Sequence, residues 1–337
     1  MSPHSPVADS RPLVTIVIPA RNEEANIPRL EEEVRRVTDP LPYRFEFLVI
    51  DNASKDRTPE LVKAICARDP RWSYLRFSRD FTVESSISAG YHHARGDAII
   101  VLYSDLQDPP ELIATFLEKW REGYDVVYGT RTRRPGDPKW RNALVKVAYR
   151  VIAWSSEVPI PTDAGDFRLI SRRVRDALDR CGEYNRYMRG MISWIGFRQI
   201  GVPYERRPRL AGESKAPFWH LVTFVFSAIS SYSLKPLRLF TMFGFLVLGA
   251  SLAAAGFYSI AAFLGHPPPG ITTLIVLGWV AIGLNALGIG VLGEYVGRTY
   301  SEVKHRPLWV VDETVNLPGS ARVTAHEGAD EPFRSVP

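Results

Sequence analysis

The chain has little that would stabilise it covalently and little that marks a redox enzyme. Its 337 residues include two cysteines, Cys66 and Cys181, far apart and in no metal-like spacing. A disulfide framework is therefore not expected, and a reducing compartment fits. No G-x-G-x-x-G follows the first apolar run, which disfavours a dinucleotide-dependent oxidoreductase. The N-terminal residues 1–11 carry Pro, Ser and charges but no apolar core, so they read as disordered and not as a cleaved secretion signal. The formal net charge is only +5, and no nucleic-acid partner is expected. Two long stretches, Leu239 to Gly265 and Gly270 to Gly293, contain no charged residue at all.

What is present begins with alternation. Apolar runs at 13–18, 45–50, 72–77, 97–102 and 125–128 read as strands. Between them lie segments with helical spacing: Ile27, Leu30, Val34 and Val37; then Leu61, Val62 and Ile65; then 83–95 and 111–122. Strands alternating with helices imply parallel βαβ units and an α/β doubly wound, mostly parallel sheet over residues 12–215. A further helix is expected from about Trp140 to Ser155, and a basic helix start at Arg172, Arg173 and Arg175.

Three short polar clusters follow three of the strands: 19–24, 51–56 and 103–108. In an open α/β sheet, ligands bind outside the carboxyl ends of the strands. One site built from three loops accounts for these clusters better than three unrelated turns. Asp51 can accept from a base N–H, and Asn22 and Glu23 can bond a ribose. Asp105 and Gln107 offer hard oxygen donors for Mg²⁺ or Mn²⁺ on a diphosphate. Taken alone, each cluster could equally be a helix-capping turn. His92 and His93 read as residues of an exposed helix face.

The C-terminal third differs in character. Residues 216–235 are aromatic and aliphatic and read as an interfacial helical segment. Within 236–297, each uncharged stretch exceeds the roughly 20 residues that a membrane-spanning helix needs, giving two expected transmembrane helices at about 239–265 and 270–293. Lys235 and Arg238 precede the first; Arg298, Lys304, His305 and Arg306 follow the second. The positive-inside bias then puts both termini and the sheet domain in the cytoplasm, at the inner membrane. Gly278, Gly283, Gly288, Gly290 and Gly293 give the second stretch small-residue faces that permit packing into a homo-oligomer, a dimer or tetramer. Residues 298–311 are expected to pack on the sheet domain, and 312–337 to be a disordered tail.

Pro19-Ala-Arg-Asn-Glu-Glu24, Asp51-Asn-Ala-Ser-Lys-Asp56, Ser104-Asp-Leu-Gln-Asp-Pro-Pro-Glu111 and Gly165-Asp-Phe-Arg-Leu169 resemble family 2 glycosyltransferases of the GT-A fold. Over about residues 12–310 the resemblance is to polyprenyl-phosphate glycosyltransferases of the bactoprenol glucosyltransferase and dolichyl-phosphate mannose synthase type. It implies a nucleotide-sugar donor (a UDP-sugar in first place, a GDP-sugar as the alternative), a divalent cation, a polyprenyl-phosphate acceptor and a lipid bilayer as partner. It implies that Pro19, Arg21, Asn22, Glu23 and Asp51 bind the nucleoside and that Asp105 and Gln107 hold the metal. Arg131 would contact phosphate, and Asp166 and Arg168 would lie on the acceptor side. Asp166 would orient the acceptor or act as a base. The chain departs from the pattern at Tyr103 and Asn52, where many relatives carry Asp, and at Thr82, where relatives often have Gly after the Phe. The Gln-x-x-Arg-Trp motif of processive synthases is missing. An acceptor phosphate is mostly ionised near neutrality, its second pKa being about 6, so one in-line displacement with inversion is expected. The competing expectations are a degenerate transferase acting as a membrane scaffold and a transferase with a non-lipid acceptor.

Overall fold

The computed structural model describes residues 11–131, 164–207, 235–264 and 270–317. The N-terminal ten residues, the helix expected at 140–155, most of the interfacial segment at 216–235 and the tail beyond 317 lie outside the described residues.

The first half alternates as the apolar runs demand: β1 (Leu13–Ala20), α1 (Ile27–Thr38), β2 (Arg44–Asp51), α2 (Thr58–Arg68), β3 (Trp72–Phe77), α3 (Val83–His93), β4 (Ala98–Val101), α4 (Leu112–Arg121) and β5 (Val126–Arg131). Then follow β6 (Ala164–Ser171), α5 (Arg172–Asp179), α6 (Met188–Ile195), β7 (Gln199–Tyr204), α7 (Lys235–Phe263), α8 (Ile271–Val303) and β8 (Val311–Val315). Local signals explain the boundaries. The Thr82 side chain accepts the Ser85 N–H and caps α3. Gly196, at φ +78°, closes α6 in the left-handed region, where a residue without Cβ is least strained.

Eight strands form one sheet in the order β7-β5-β6-β4-β1-β2-β3-β8. β3, β2, β1 and β4 are parallel neighbours, as expected. The sheet as a whole is mixed, because β6 enters antiparallel between β4 and β5, and β8 runs antiparallel to β3. β8 also carries order past residue 311, where the tail was expected to lose it. Strand and loop packing both account for this: Asn316 Nδ2 donates to the Cys66 and Trp72 carbonyls at 2.8 and 3.1 Å.

Side chains leave a strand on alternate faces, and both faces of this sheet are covered. Val14, Ile16 and Ile18 of β1 join the apolar faces of α1, α2 and α4. Val17 of β1, with Ile99 and Val101 of β4, joins α3, α5 and α6. The sheet is thus doubly wound. α3 lies so close to β1 that a Cβ on Gly90 would fall 2.1 Å from Val17 Cγ1.

Helices α7 and α8 have 29 and 33 residues. Both expose large apolar side chains, among them Phe245, Leu246, Phe257, Leu287 and Ile289. Within α8, Val280–Val303 is long and apolar enough to cross a membrane, with none of its apolar window buried in the protein. In α7 the apolar helical run is shorter, Phe240–Ala254. Among the described residues only one helix therefore meets the length and hydropathy requirement, where the sequence led us to expect two. The two helices meet where Gly288 leaves room for the Phe240 ring, 2.5 Å from the place of a Cβ.

Candidate active site at the carboxyl edge of the sheet

The register brings the polar clusters together. Ala20 pairs with Asp51, and Val17 pairs with Val101, so β1, β2 and β4 end side by side. Their loops are tied to one another. The Asn22 N–H donates to Ser54 Oγ, Asn22 Oδ1 accepts the Lys55 N–H, and the Glu23 N–H donates to Thr58 Oγ1, all within 2.9 Å. Ser104 Oγ donates to the Pro19 carbonyl at 3.2 Å. Asn22, Ala53 and Leu106 sit at positive φ, one in each loop. Such strained backbone is held only where surrounding bonds over-determine it, and it clusters at functional sites.

Asp51 is fully buried at the end of β2. Its Oδ1 accepts the Ser54 N–H at 2.9 Å and its Oδ2 accepts the Tyr74 hydroxyl at 2.7 Å. Arg21 stands at the rim, 2.6 Å from Asp80. Asn52 does work an aspartate could not do. Its amide donates to Asp80 and the Phe81 carbonyl while its oxygen accepts the Phe81 N–H, fixing the approach to α3.

The acidic loop after β4 is the electrostatic centre. Asp105 Oδ1 accepts the Gln107 N–H at 3.2 Å. Gln107 Oε1 and Asp108 Oδ2 are buried with no hydrogen-bond partner. Buried polar atoms are normally satisfied, so these two orphans mark a place for a ligand. Arg206 lies between the carboxylates, 3.8 Å from Asp105 Oδ2 and 3.6 Å from Asp108 Oδ1. Tyr204 donates its hydroxyl to Asp108 and accepts from Arg131 Nε. Burial, then the Asp108 charge, push the Tyr204 phenol up to about 12, so it stays a neutral donor. The donor set of two carboxylates and an amide oxygen fits a divalent cation such as Mg²⁺ or Mn²⁺. Among the described residues no group of three or more His, Cys, Asp or Glu is gathered for a metal. A cation would therefore need Gln107 and the ligand's own oxygens as well.

Beyond this loop lies a second network, which pairing across β4 and β6 creates. Val101 faces Arg168 in an antiparallel register. Two residues further along, Tyr103 and Asp166 come level, and the Tyr103 hydroxyl donates to Asp166 Oδ2 at 3.1 Å. Arg189 of α6 grips the same carboxylate with Nε to Oδ1 at 2.7 Å and Nη2 to Oδ2 at 2.6 Å. Burial alone would raise the Asp166 carboxyl. The guanidinium on both oxygens more than offsets this and holds it well below the usual carboxylate range. Arg168 is buried, with Nη2 on the Gly165 carbonyl at 2.8 Å. Glu84, in the first turn of α3, shares this environment. Burial, then the Asp166 charge, push its carboxyl up to about 7.

A family model described as glycosyl transferase family 2 matches residues 15–178. The chain is 38% identical to an uncharacterised glycosyltransferase of Bacillus subtilis, YkcC, over 90% of this chain and 94% of that one. It is 37% identical to the bactoprenol glucosyl transferase of Shigella phage SfV, over 88% and 97%. The protein belongs to glycosyltransferase family 2. Among solved structures it is similar to mannosyl-3-phosphoglycerate synthase from Rubrobacter xylanophilus, at 14% identity and TM-score 0.46 over 69% of this chain and 75% of that one.

Of the residues singled out in the glycosyltransferase's sequence, Pro19 and Asp51 stand at the ends of β1 and β2, and Arg21, Asn22 and Glu23 on the loop after β1. Asp105 and Gln107 occupy the third loop, Arg131 reaches it from β5, and Asp166 and Arg168 flank it from β6. Several participants carry no separate sequence signal. Asp108 reads as part of a capping turn, Tyr204 ends β7 and Arg206 follows it with no visible boundary, and Arg189 sits in an ordinary amphipathic helix. Glu84 looks like a helix-start charge. Of the two histidines expected on an exposed helix face, His92 is exposed and His93 half-buried, and both rings lie against Trp309 with centroids 5.9 and 6.5 Å away.

Proposed function

We propose that this glycosyltransferase moves a sugar from a nucleotide-sugar, a UDP-sugar by preference, to a polyprenyl phosphate at a membrane surface. The observation that carries the reading is one chain joining a phosphate-suited polar site to helices with unburied apolar faces. A lipid-linked acceptor cannot leave the bilayer, and its phosphate must meet a donor held in water. Likeness along nearly the full chain to proteins named bactoprenol glucosyl transferases supports the same acceptor.

In this reading Pro19, Arg21, Asn22, Glu23 and Asp51 hold the nucleoside. Asp105 and Gln107, joined by Asp108, hold a divalent cation, Mg²⁺ or Mn²⁺. When bound, the cation stabilises the negative charge of the departing nucleoside diphosphate. Arg131 binds phosphate as a planar fork. Arg168 supplies positive potential on the acceptor side. An acceptor phosphate oxygen attacks the anomeric carbon, and the bond from that carbon to the diphosphate breaks, with inversion. The phosphate is already anionic, so no strong base is needed. Asp166, held as an anion by Arg189 and Tyr103, orients the acceptor rather than taking a proton. Helices α7 and α8 both anchor in the bilayer, and the basic flanks keep the sheet domain cytoplasmic.

The test is a donor panel of UDP- and GDP-sugars, assayed with the full chain in lipid vesicles, polyprenyl phosphate and Mg²⁺ or Mn²⁺. One labelled sugar is expected to enter an organic-extractable, acid-labile lipid. Donor binding without turnover under every metal would instead support a scaffold, and transfer only to a soluble acceptor would displace the lipid.

A further inference from the structure

The connector between α5 and α6, residues 180–187, touches two distant parts of the molecule. At one end Glu302, in the last turn of α8, accepts the backbone N–H of Tyr184 at 2.8 Å and of Asn185 at 3.3 Å. At the other end Glu84 Oε2 accepts the Met188 N–H at 3.3 Å, and the next residue, Arg189, forks onto Asp166. Arg186 stiffens the stretch between them. Its Nη2 donates to the Cys181 carbonyl at 2.7 Å and its Nε to the Glu183 carbonyl at 3.2 Å. Arg189 follows Asn185 by four residues, across the end of the connector and into the first turn of α6.

Glu302 makes poor sense as a residue of α8 alone. A carboxylate in the last turn faces the negative end of the helix dipole. Arg298, one turn earlier, is occupied by Glu294 at 2.8 Å. Two charge-assisted bonds from the connector give the position its reason. The end of α8 is fixed a second time, since Trp309 stacks on Phe77 and β8 joins β3. The end of α8 is thus held at two places, on the connector and, through Trp309 and β8, on β3.

We propose that Glu302 is a positioning residue for the transfer reaction: it seats α8 on the connector and so keeps Arg189 in its two-bond grip on Asp166. Glu302 touches no substrate and acts only through the connector. The inference rests on the reading of Asp166 as an acceptor-side group and of α8 as membrane-seated. Its consequence is that the seat of α8 in lipid conditions the order of the acceptor side.

The test uses the full chain in vesicles, with Glu302→Ala, Glu302→Gln, Arg189→Lys and the Glu302→Ala/Arg189→Lys double variant. Small misplacements of reacting groups cost up to about a hundredfold in rate, so a roughly tenfold fall in kcat is expected for Glu302→Ala. The donor KM should not move, because the loops at 20–26 and 51–57 are not part of the connector. Glu302→Gln keeps one carbonyl acceptor and should recover most of the rate. Arg189→Lys already breaks the fork, so adding Glu302→Ala should cost little more. Losses that multiply in the double variant, or a Glu302→Ala protein with lowered thermal stability but unchanged kcat, overturn the proposal. Amide exchange over Met188–Ile195 needs no acceptor: faster exchange in Glu302→Ala supports the coupling, and unchanged exchange overturns it. A wild-type protein that transfers nothing to lipid phosphate sinks the proposed acceptor, while the exchange experiment still reports on the coupling.

Discussion

Tyr103 is one of the positions where the family resemblance led us to expect an aspartate, and the structure gives the phenol a partner. A carboxylate there would face Asp166 across a buried gap. A phenol instead donates to Asp166, and burial with the nearby Asp166 and Glu84 charges raises it far above its ordinary value, so it remains a donor. Tyr103→Phe should remove one hydrogen bond, about 1 kcal/mol net, and lower kcat several-fold without changing donor affinity; steady-state kinetics check the split. Asp105→Asn should weaken Mn²⁺ binding and reduce turnover by roughly a hundredfold or more, in line with the loss of an electrostatic stabiliser, as read by calorimetry with donor present. Glu84 has a folded-state value near 7 against an ordinary 4.5. The raised value favours the protonated form in the folded chain, so its stabilising contribution is complete below about 4.5. It fades as pH rises through about 7. Glu84→Gln cannot ionise, so the stability of wild type relative to this variant should fall between about pH 5 and pH 7 and level off above that in thermal melts.

Among elements, α3 and β8 depend most on close approach. Gly90→Ala adds helix propensity worth about 1 kcal/mol but drives a methyl into Val17, where overpacking costs about 1–3 kcal/mol. The clash should win, and denaturant melts should show net destabilisation. β8 covers the β3 edge, which would otherwise present open backbone donors and acceptors. Trp309, stacked at 6.4 Å on Phe77, pins the segment that leads into it. Trp309→Ala is expected to cost about 2 kcal/mol, below the full core value because the ring is only partly buried, with a matching fall in the unfolding midpoint.

For the whole molecule, the exposed apolar faces of α7 and α8 are the feature that a lipid surface would cover. Exposed apolar faces this wide mark a surface that another apolar phase or protein covers. The full chain should float with lipid vesicles and remain with them after alkaline carbonate washing; recovery in the wash would contradict anchoring. The polar site and the apolar helices would then sit on one body, linked through β8, Trp309 and Glu302.

By itself the sequence determined the first five strands and four helices, because each carries its own period and its own turn residues. It also located the three loops, since parallel βαβ units leave polar clusters at one edge whatever the strand order. Only the tertiary structure decided the rest. β6 enters antiparallel between β4 and β5, and that pairing, which no local pattern encodes, sets Asp166 level with Tyr103. Arg189, Tyr204 and Arg206 join the site from far along the chain, and Glu84 joins it from the start of α3. Each looks locally like an ordinary surface residue, and it becomes part of a charged network only when burial removes the water that would otherwise screen it.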